Sequence, residues 1–159
     1  MTQFASHVVC AIALLALLTG CDGYPRDADD MTQKAADVGM YVGASHDPPY
    51  VRVSAEGEVT GTEVALVERF ADERGYRVIW ATDAHDALML DLENAQLHAV
   101  IGGHHPDSPW KPKVGWSRTL YLREGGNGAL HQRRIALPPG QSAWHLAFDR
   151  HLVEREGAQ

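Results

Sequence analysis

The chain has 159 residues, 45% of them hydrophobic and 22% charged, with a formal net charge of −7. That length supports one modest globular domain, and the acidic balance excludes a nucleic-acid binder, which needs a basic footprint for phosphate. The two cysteines, Cys10 and Cys21, both lie near the N-terminus, so the domain beyond them has neither a disulfide nor a thiolate metal cluster and must rest on a packed core.

The apolar run from Val8 to Leu18 is too short for a bilayer core of about 30 Å, which takes about 20 apolar residues. It has the length of a signal-peptide hydrophobic region, although Met1 to His7 carries no Lys or Arg. Leu18-Thr19-Gly20-Cys21 resembles the lipobox of bacterial lipoproteins. The resemblance implies a signal peptide over 1–20, cleavage before Cys21, and acylation of the Cys21 thiol and new amino group. The thiol is required because only a nucleophilic sulfur takes the thioether-linked diacylglycerol. Several acyl chains anchor stably where one binds marginally. Asp22 resembles the inner-membrane retention residue of some lipoproteins, which implies a periplasmic domain held on the inner membrane. An ordinary secretory signal containing a cysteine is the alternative.

Residues 21–36 are polar, acidic and broken by Gly and Pro, and are expected to form a flexible tether, with the domain over 37–159. Val38 to Val42 reads as a strand, followed by the turn-rich Gly43 to Pro49 and an extended Tyr50 to Val53. The pattern predicts a helix over Thr62 to Arg74, with Thr60 and Glu63 at capping-box spacing, Val64, Val67, Phe70 and Ala71 on one face, and Gly75 as its stop. Tyr76 to Ala81 alternates as a strand. Asp83 to Ala95 has helical spacing with Asp83 as cap, and Leu97 to Ile101 is a continuous apolar run, as in a strand buried on both faces. Trp116 to Leu122 is extended, Gly125 to Gly128 is a connector, Arg134 to Leu137 is a last strand, and a helix follows from Ser142 to Glu154. Strands alternating with helices predict an α/β fold with a mainly parallel sheet in three layers.

Val38-Gly39-Met40-Tyr41-Val42, then Pro48-Pro49-Tyr50, then Gly57-Glu58-Val59-Thr60-Gly61 and an amphipathic helix resemble the opening of bacterial extracellular solute-binding proteins of family 3. Leu92 to Gly103 is similar to that family's "L-x-x-G-x-x-D-(L/V)-(I/V)-x-(G/A)-G" segment, and Ser117-Arg118-Thr119-Leu120-Tyr121 to its "S-x-P-Y-(Y/F)" end of the first lobe. A family member then runs through a second lobe of roughly a hundred residues before a return strand and C-terminal helix. Here only the glycine-rich connector separates Tyr121 from Arg134-Ile135-Ala136-Leu137. The resemblance therefore implies lobe I of a periplasmic binding protein, with the second lobe excised and the ends rejoined.

Such a protein takes a small solute between its lobes and works with an ABC transporter in the membrane; no cofactor is implied. By resemblance the ligand-binding residues are Tyr50, Glu63, Gly103, His104, His105, Trp110 and Arg118. Trp110 stands roughly where the family has an arginine that grips a carboxylate bidentately, which a tryptophan cannot do; Arg118 or Arg123 would have to substitute. One lobe supplies about half of the enclosure that small ligands need, so binding is expected to be weak without a partner. A second expectation is a non-binding module whose cleft face docks a membrane protein, marked by an exposed patch of Tyr50, Trp110 and Trp116. A third is a metal site from His46, Asp47, His104 and His105 at the C-terminal strand edge, where α/β sheets place ligands; His98, inside a strand, reads as a core residue. No G-x-S-x-G elbow, P-loop or nucleophile–base arrangement occurs, and the chain is not expected to be an enzyme.

Overall fold

The computed structural model describes residues 24–105, 107–123 and 128–156. The expected signal peptide, Cys21, Asp22 and Gly125 to Asn127 lie outside these residues. No helix among those described is long and apolar enough to cross a membrane.

After a first helix α1 (Met31–Asp37) comes β1 (Met40–Ala44), then the short pair β2 (Arg52–Val53) and β3 (Val59–Thr60), and helix α2 (Thr62–Arg74). Strand β4 (Val78–Thr82), helix α3 (His85–Glu93) and strand β5 (Ala99–Ile101) complete the alternating part. Two-residue β6 (Gly115–Trp116), the hairpin strands β7 (Leu120–Arg123) and β8 (Leu130–Arg133), β9 (Ala136–Leu137) and helix α4 (Ser142–Glu156) follow. The central sheet has the order β4-β1-β5-β9-β6. Strand β1 pairs in parallel with β4 and β5, whereas β9 returns antiparallel to β5, with Val100 opposite Ala136, and pairs with β6.

Side-chain alternation along the strands builds the layers. Met40, Val42, Ala44, Ala99, Ile101 and Leu137 point to one face, where Met31, Val67, Phe70, Trp144 and Phe148 from α1, α2 and α4 cover them. Val100 and Ala136 point to the other, under Leu88, Met89 and Leu92 of α3. Gly43 permits that close approach: a Cβ there would meet Leu97, Val100 and Leu88 at 3.0–3.2 Å.

Four expectations change. Residues 24–36 do not form a free tether. The lead-in bridges Asp27 to Gln141, the Ser142 N–H donates to the Arg26 carbonyl at 2.9 Å, and α1 buries Met31 and Ala35 completely or nearly so. The apolar spacing of Met31 and Ala35 fixes one helical face, and burying it outweighs the polar composition around it. The capping box also does not form: Gly61 is the N-cap of α2 without a side-chain bond, because Glu63 turns into the protein. Ala84 rather than Asp83 caps α3, the Asp83 carboxylate accepting instead from the Ala84 N–H at 2.6 Å.

The strand expected over Trp116 to Leu122 is broken at Ser117. Its N–H donates to the Ile135 carbonyl at 2.9 Å and its Oγ accepts from the Ile135 N–H at 3.0 Å. Beyond it the chain leaves the sheet and returns as the β7–β8 ribbon, with Leu120 opposite Arg133 and Arg123 opposite Leu130. The outgoing and returning segments thus pair directly where a two-lobed relative of the resembled family would cross into its second lobe.

Candidate functional site

The parallel strands β1 and β5 end side by side, and the backbone leaving each turns over the sheet's C-terminal edge. The Ser45 N–H donates to the Ile101 carbonyl at 2.9 Å. Gly102 adopts φ 92°, and a Cβ there would lie 2.0 Å from the Ser45 carbonyl oxygen, so only glycine lets the two turns touch. The carboxylate of Glu63 accepts the Gly102 N–H at 2.9 Å, and that of Asp47 accepts the Gly103 N–H at 2.8 Å.

Between those carboxylates lies Arg133, from the end of β8. Its Nε–H donates to Glu63 at 2.7 Å, its Nη2 pairs with Asp47, and its guanidinium carbon sits 4.3 Å from the centre of the Tyr50 ring. Arg133, Glu63 and Tyr50 are buried. Burial alone would raise the Asp47 carboxyl, but hydrogen bonds from Arg133 and Gly103 overcome it and hold Asp47 below the usual range. Burial pushes Glu63 up, against the pull of Arg133. Burial also works against the Arg133 charge, and the two carboxylates more than restore it.

Beside this cluster is a cavity of about 390 Å³. His85 and Asp86 enter it from the start of α3, Gly103 and His105 from the turn after β5, and Asp107, Ser108, Pro109 and Trp110 from the next loop. Trp110 is fixed by its indole N–H donating to Asp86 at 3.2 Å and by the Lys113 ammonium 5.0 Å from its ring centre. The cavity therefore offers an aromatic wall, imidazoles, a hydroxyl and carboxylates to a small polar molecule.

His104 lies behind this wall, fully buried. Its ring is 5.1 Å from that of His85 and 5.2 Å from that of Trp116. Its ring nitrogens have no well-formed hydrogen bond, the Val100 carbonyl being the backbone group that favours a proton on the ring. Burial, then His85 and Arg133, hold His104 down at about 3, so the ring is neutral. A buried polar group left unpaired costs about 1–3 kcal/mol, which an apolar side chain in the same slot would not.

Of the sequence candidates, Gly103, His105 and Trp110 line the cavity, whereas Tyr50 and Glu63 hold Arg133 beneath it. Arg118 does not line it; its backbone N–H donates to Asp149 at 2.9 Å. Arg123 lies on the exposed hairpin and reaches the Gly128 carbonyl. The metal candidates do not converge. His46 Nδ1 accepts the Val53 N–H at 3.1 Å, Asp47 is committed to Arg133 and Gly103, and no group of three or more His, Cys, Asp or Glu suited to a metal occurs among the described residues. His98 is buried, with Nδ1 accepting the Tyr41 N–H at 3.1 Å. Sequence reasoning missed Arg133, His85, Asp86, Asp107 and Ser108. Only the place of His85 and Asp86 at the start of a helix that follows a strand could have flagged them.

The chain has the fold of a single lobe of a periplasmic solute-binding protein. The arginine-bound form of domain 1 from TmArgBP matches it with a TM-score of 0.64 at 24% identity, covering 77% of this chain and 97% of that domain. EhuB in complex with hydroxyectoine gives 0.68 at 12% identity over 84% of this chain and 89% of that one. A periplasmic binding protein of Salmonella typhimurium with high arginine specificity gives 0.61 at 12% over 74% and 93%. Likeness at these identities establishes the fold. Among curated proteins, the chain is 33% identical over 102 residues to membrane-bound lytic murein transglycosylase F 2 of Alkalilimnicola ehrlichii, covering 63% of this chain and 23% of that protein. The chain thus spans about a quarter of that relative's length. No protein-family profile matches it.

Proposed function

We propose that this chain is a periplasmic solute-binding lobe, acylated at Cys21 and held on the bacterial inner membrane, which takes a small polar solute and serves as an accessory component of a transport system. The observation that carries the reading is the cavity between His85 and Trp110, at the C-terminal edge of the parallel strands, where open α/β sheets bind ligands. Support comes from domain 1 of TmArgBP, a lobe of the same fold described as arginine-bound. The role is non-enzymatic: binding, not turnover, is what the cavity's side chains serve. A single lobe leaves much of the solute in water, so affinity is weak until a membrane partner covers the open side.

Calorimetric titration with arginine, other amino acids and hydroxyectoine tests this, with mass measurement of the mature protein as the test of acylation. Saturable binding of one of them, weakened about tenfold in W110A, is expected. Absence of binding by any small polar solute at millimolar concentration overturns the solute reading. It would favour a docking module, though not through the expected patch, since Tyr50 is buried and Trp110 and Trp116 pack partly against the core; Tyr121 and Leu130 instead share the outer face of the β7–β8 ribbon and are 56% and 53% exposed.

A further inference from the structure

We propose that the lobe stands on the bilayer by the N-terminal edge of its parallel strands, the edge that carries Tyr24 and Val38, and holds the cavity away from the lipid. The proposal rests on the acylation of Cys21 put forward above and adds the surface that the anchor brings to the membrane. Cys21 is followed by Asp22, Gly23 and then Tyr24, and three Cα steps reach no further than about 11 Å. From there the chain is fastened to the domain. The Ser142 N–H donates to the Arg26 carbonyl at 2.9 Å, Asp27 accepts the Trp144 N–H at 2.8 Å, and the Asp29 N–H donates to the Gln141 side chain at 3.0 Å. A domain of this size has a radius of gyration of about 14 Å, so the leash is too short for it to turn over.

The sheet topology identifies the anchored edge. Strands β1 and β5 run in parallel toward the cavity, whereas β9 is antiparallel to β5. Pro138 to Gln141, where Arg26 and Asp27 are held, therefore lie at the opposite edge. Val38 is on that edge too, just before β1, and its carbonyl accepts from Arg77, just before β4, at 3.1 Å. Tyr24 is 83% and Val38 54% exposed. A tyrosine suits the headgroup layer, with its ring in the apolar part and its hydroxyl in water. Arg26 and Arg77 are exposed there alongside Asp29 and Asp30, so the leash and not net charge selects this face. Strand β1 is five residues long, about 15 Å, which sets the height of the cavity mouth above the anchored edge. A membrane partner that covers the cavity must do so with a part that projects from the bilayer.

The test uses the acylated chain in vesicles of phosphatidylethanolamine and phosphatidylglycerol, with a nitroxide on the lipid headgroup as quencher. No cysteine follows Cys21, so V38C and H105C, both at exposed positions, each accept one fluorophore. Quenching is expected to be at least about threefold stronger at V38C than at H105C. An insertion of about twenty Gly and Ser residues after Gly23, with a reach of about 25 Å, should cut that contrast by at least half. Equal quenching at the two sites, or a contrast that the insertion leaves unchanged, overturns the proposal. Failure of the anchor is read separately, as an unmodified Cys21 in the mass of the mature chain. The orientation is then measured on a chain beginning at Cys21 and joined to an aldehyde lipid, which condenses only with an N-terminal cysteine, and the same contrast decides it.

Discussion

Arg133 donates its Nε–H to Glu63 at 2.7 Å between two buried side chains seventy positions apart. Together with Asp47 and Tyr50 it joins the β7–β8 ribbon to the start of α2 and the loop after β1. Removing one partner leaves the other charge buried and unpaired, a loss of about 3–5 kcal/mol. R133A and E63A are therefore each expected to lower the urea midpoint sharply. The double variant R133M/E63L should be far less destabilised than the sum of the singles, since apolar groups of similar size need no partner. Additive losses would show that the pair is not coupled.

Gly102 carries the two strand-end turns. Alanine there would place a Cβ 2.0 Å from the Ser45 carbonyl oxygen, in a φ that L side chains avoid. G102A is expected to destabilise by at least about 2 kcal/mol and to displace the Gly102 N–H from Glu63. G57A, in a turn with nothing within 4 Å but also at positive φ, should cost only about 1 kcal/mol. Denaturation midpoints of the two variants compare clash plus strain with strain alone.

Stability should fall on acidification. Burial holds His98 at about 4 and His104 at about 3, against an ordinary value of 6.5. The unfolded chain takes up these protons first, so the stabilising contribution is complete above about 6.5 and is lost as pH falls to about 4 and about 3. Each group adds a slope of at most about 1.4 kcal/mol per pH unit. Asp47 acts lower: its depressed carboxyl contributes above the usual aspartate range and ceases to as pH drops through its folded value. Unfolding free energies between pH 7 and 4 should decline, and H104L should flatten the decline. An unchanged slope in H104L would contradict the assignment.

The periodic parts of the chain were legible. The stripe of Val64, Val67 and Phe70 marks α2 because burial imposes a 3.6-residue repeat, and Leu97 to Ile101 marks a strand covered on both faces. Arg134 to Leu137 reads as a return strand, and Ala136 does pair beside Val100. Two kinds of feature were not legible. Met31 and Ala35 sit in a polar, proline-broken stretch, and their burial depends on Trp144 and Phe148, over a hundred positions away. Glu63 has the spacing of a capping residue, and only the fold reveals that its partner is Arg133. At the cavity, His105 was legible from the strand-end turn it follows, and Trp110 from its place in the resembled family's pattern. His85 and Asp86 were not, because their side chains meet that turn only through tertiary packing.

The N-terminal helix provides a direct check of where the folded domain begins. Met31 is fully buried against the core formed with α4, and Asp27 accepts the Trp144 N–H at 2.8 Å. M31A should cost about 2–5 kcal/mol, as buried methionine truncations do. A chain starting at Asp37 should lose cooperative unfolding, whereas one starting at Tyr24 should keep it. If both melt alike, the segment before β1 contributes nothing.

Trp110 separates a solute-binding wall from a merely structural side chain. Its indole N–H reaches Asp86 and its ring faces Lys113, while part of the ring packs against the core cluster that includes Leu88, Met89 and Val114. W110A should therefore lower the melting temperature modestly, through the lost core contact, while reducing affinity for the bound solute about tenfold, the loss of one aromatic contact of about 1–1.5 kcal/mol. W110F, which keeps the ring face but not the N–H, should retain most of the affinity. D86N should weaken a cationic solute more than a neutral one, because it removes a carboxylate without changing shape. Calorimetry on the three variants reads these differences directly. A large fall in melting temperature for W110A, with affinity unaltered, would make Trp110 a packing residue and move the binding surface elsewhere.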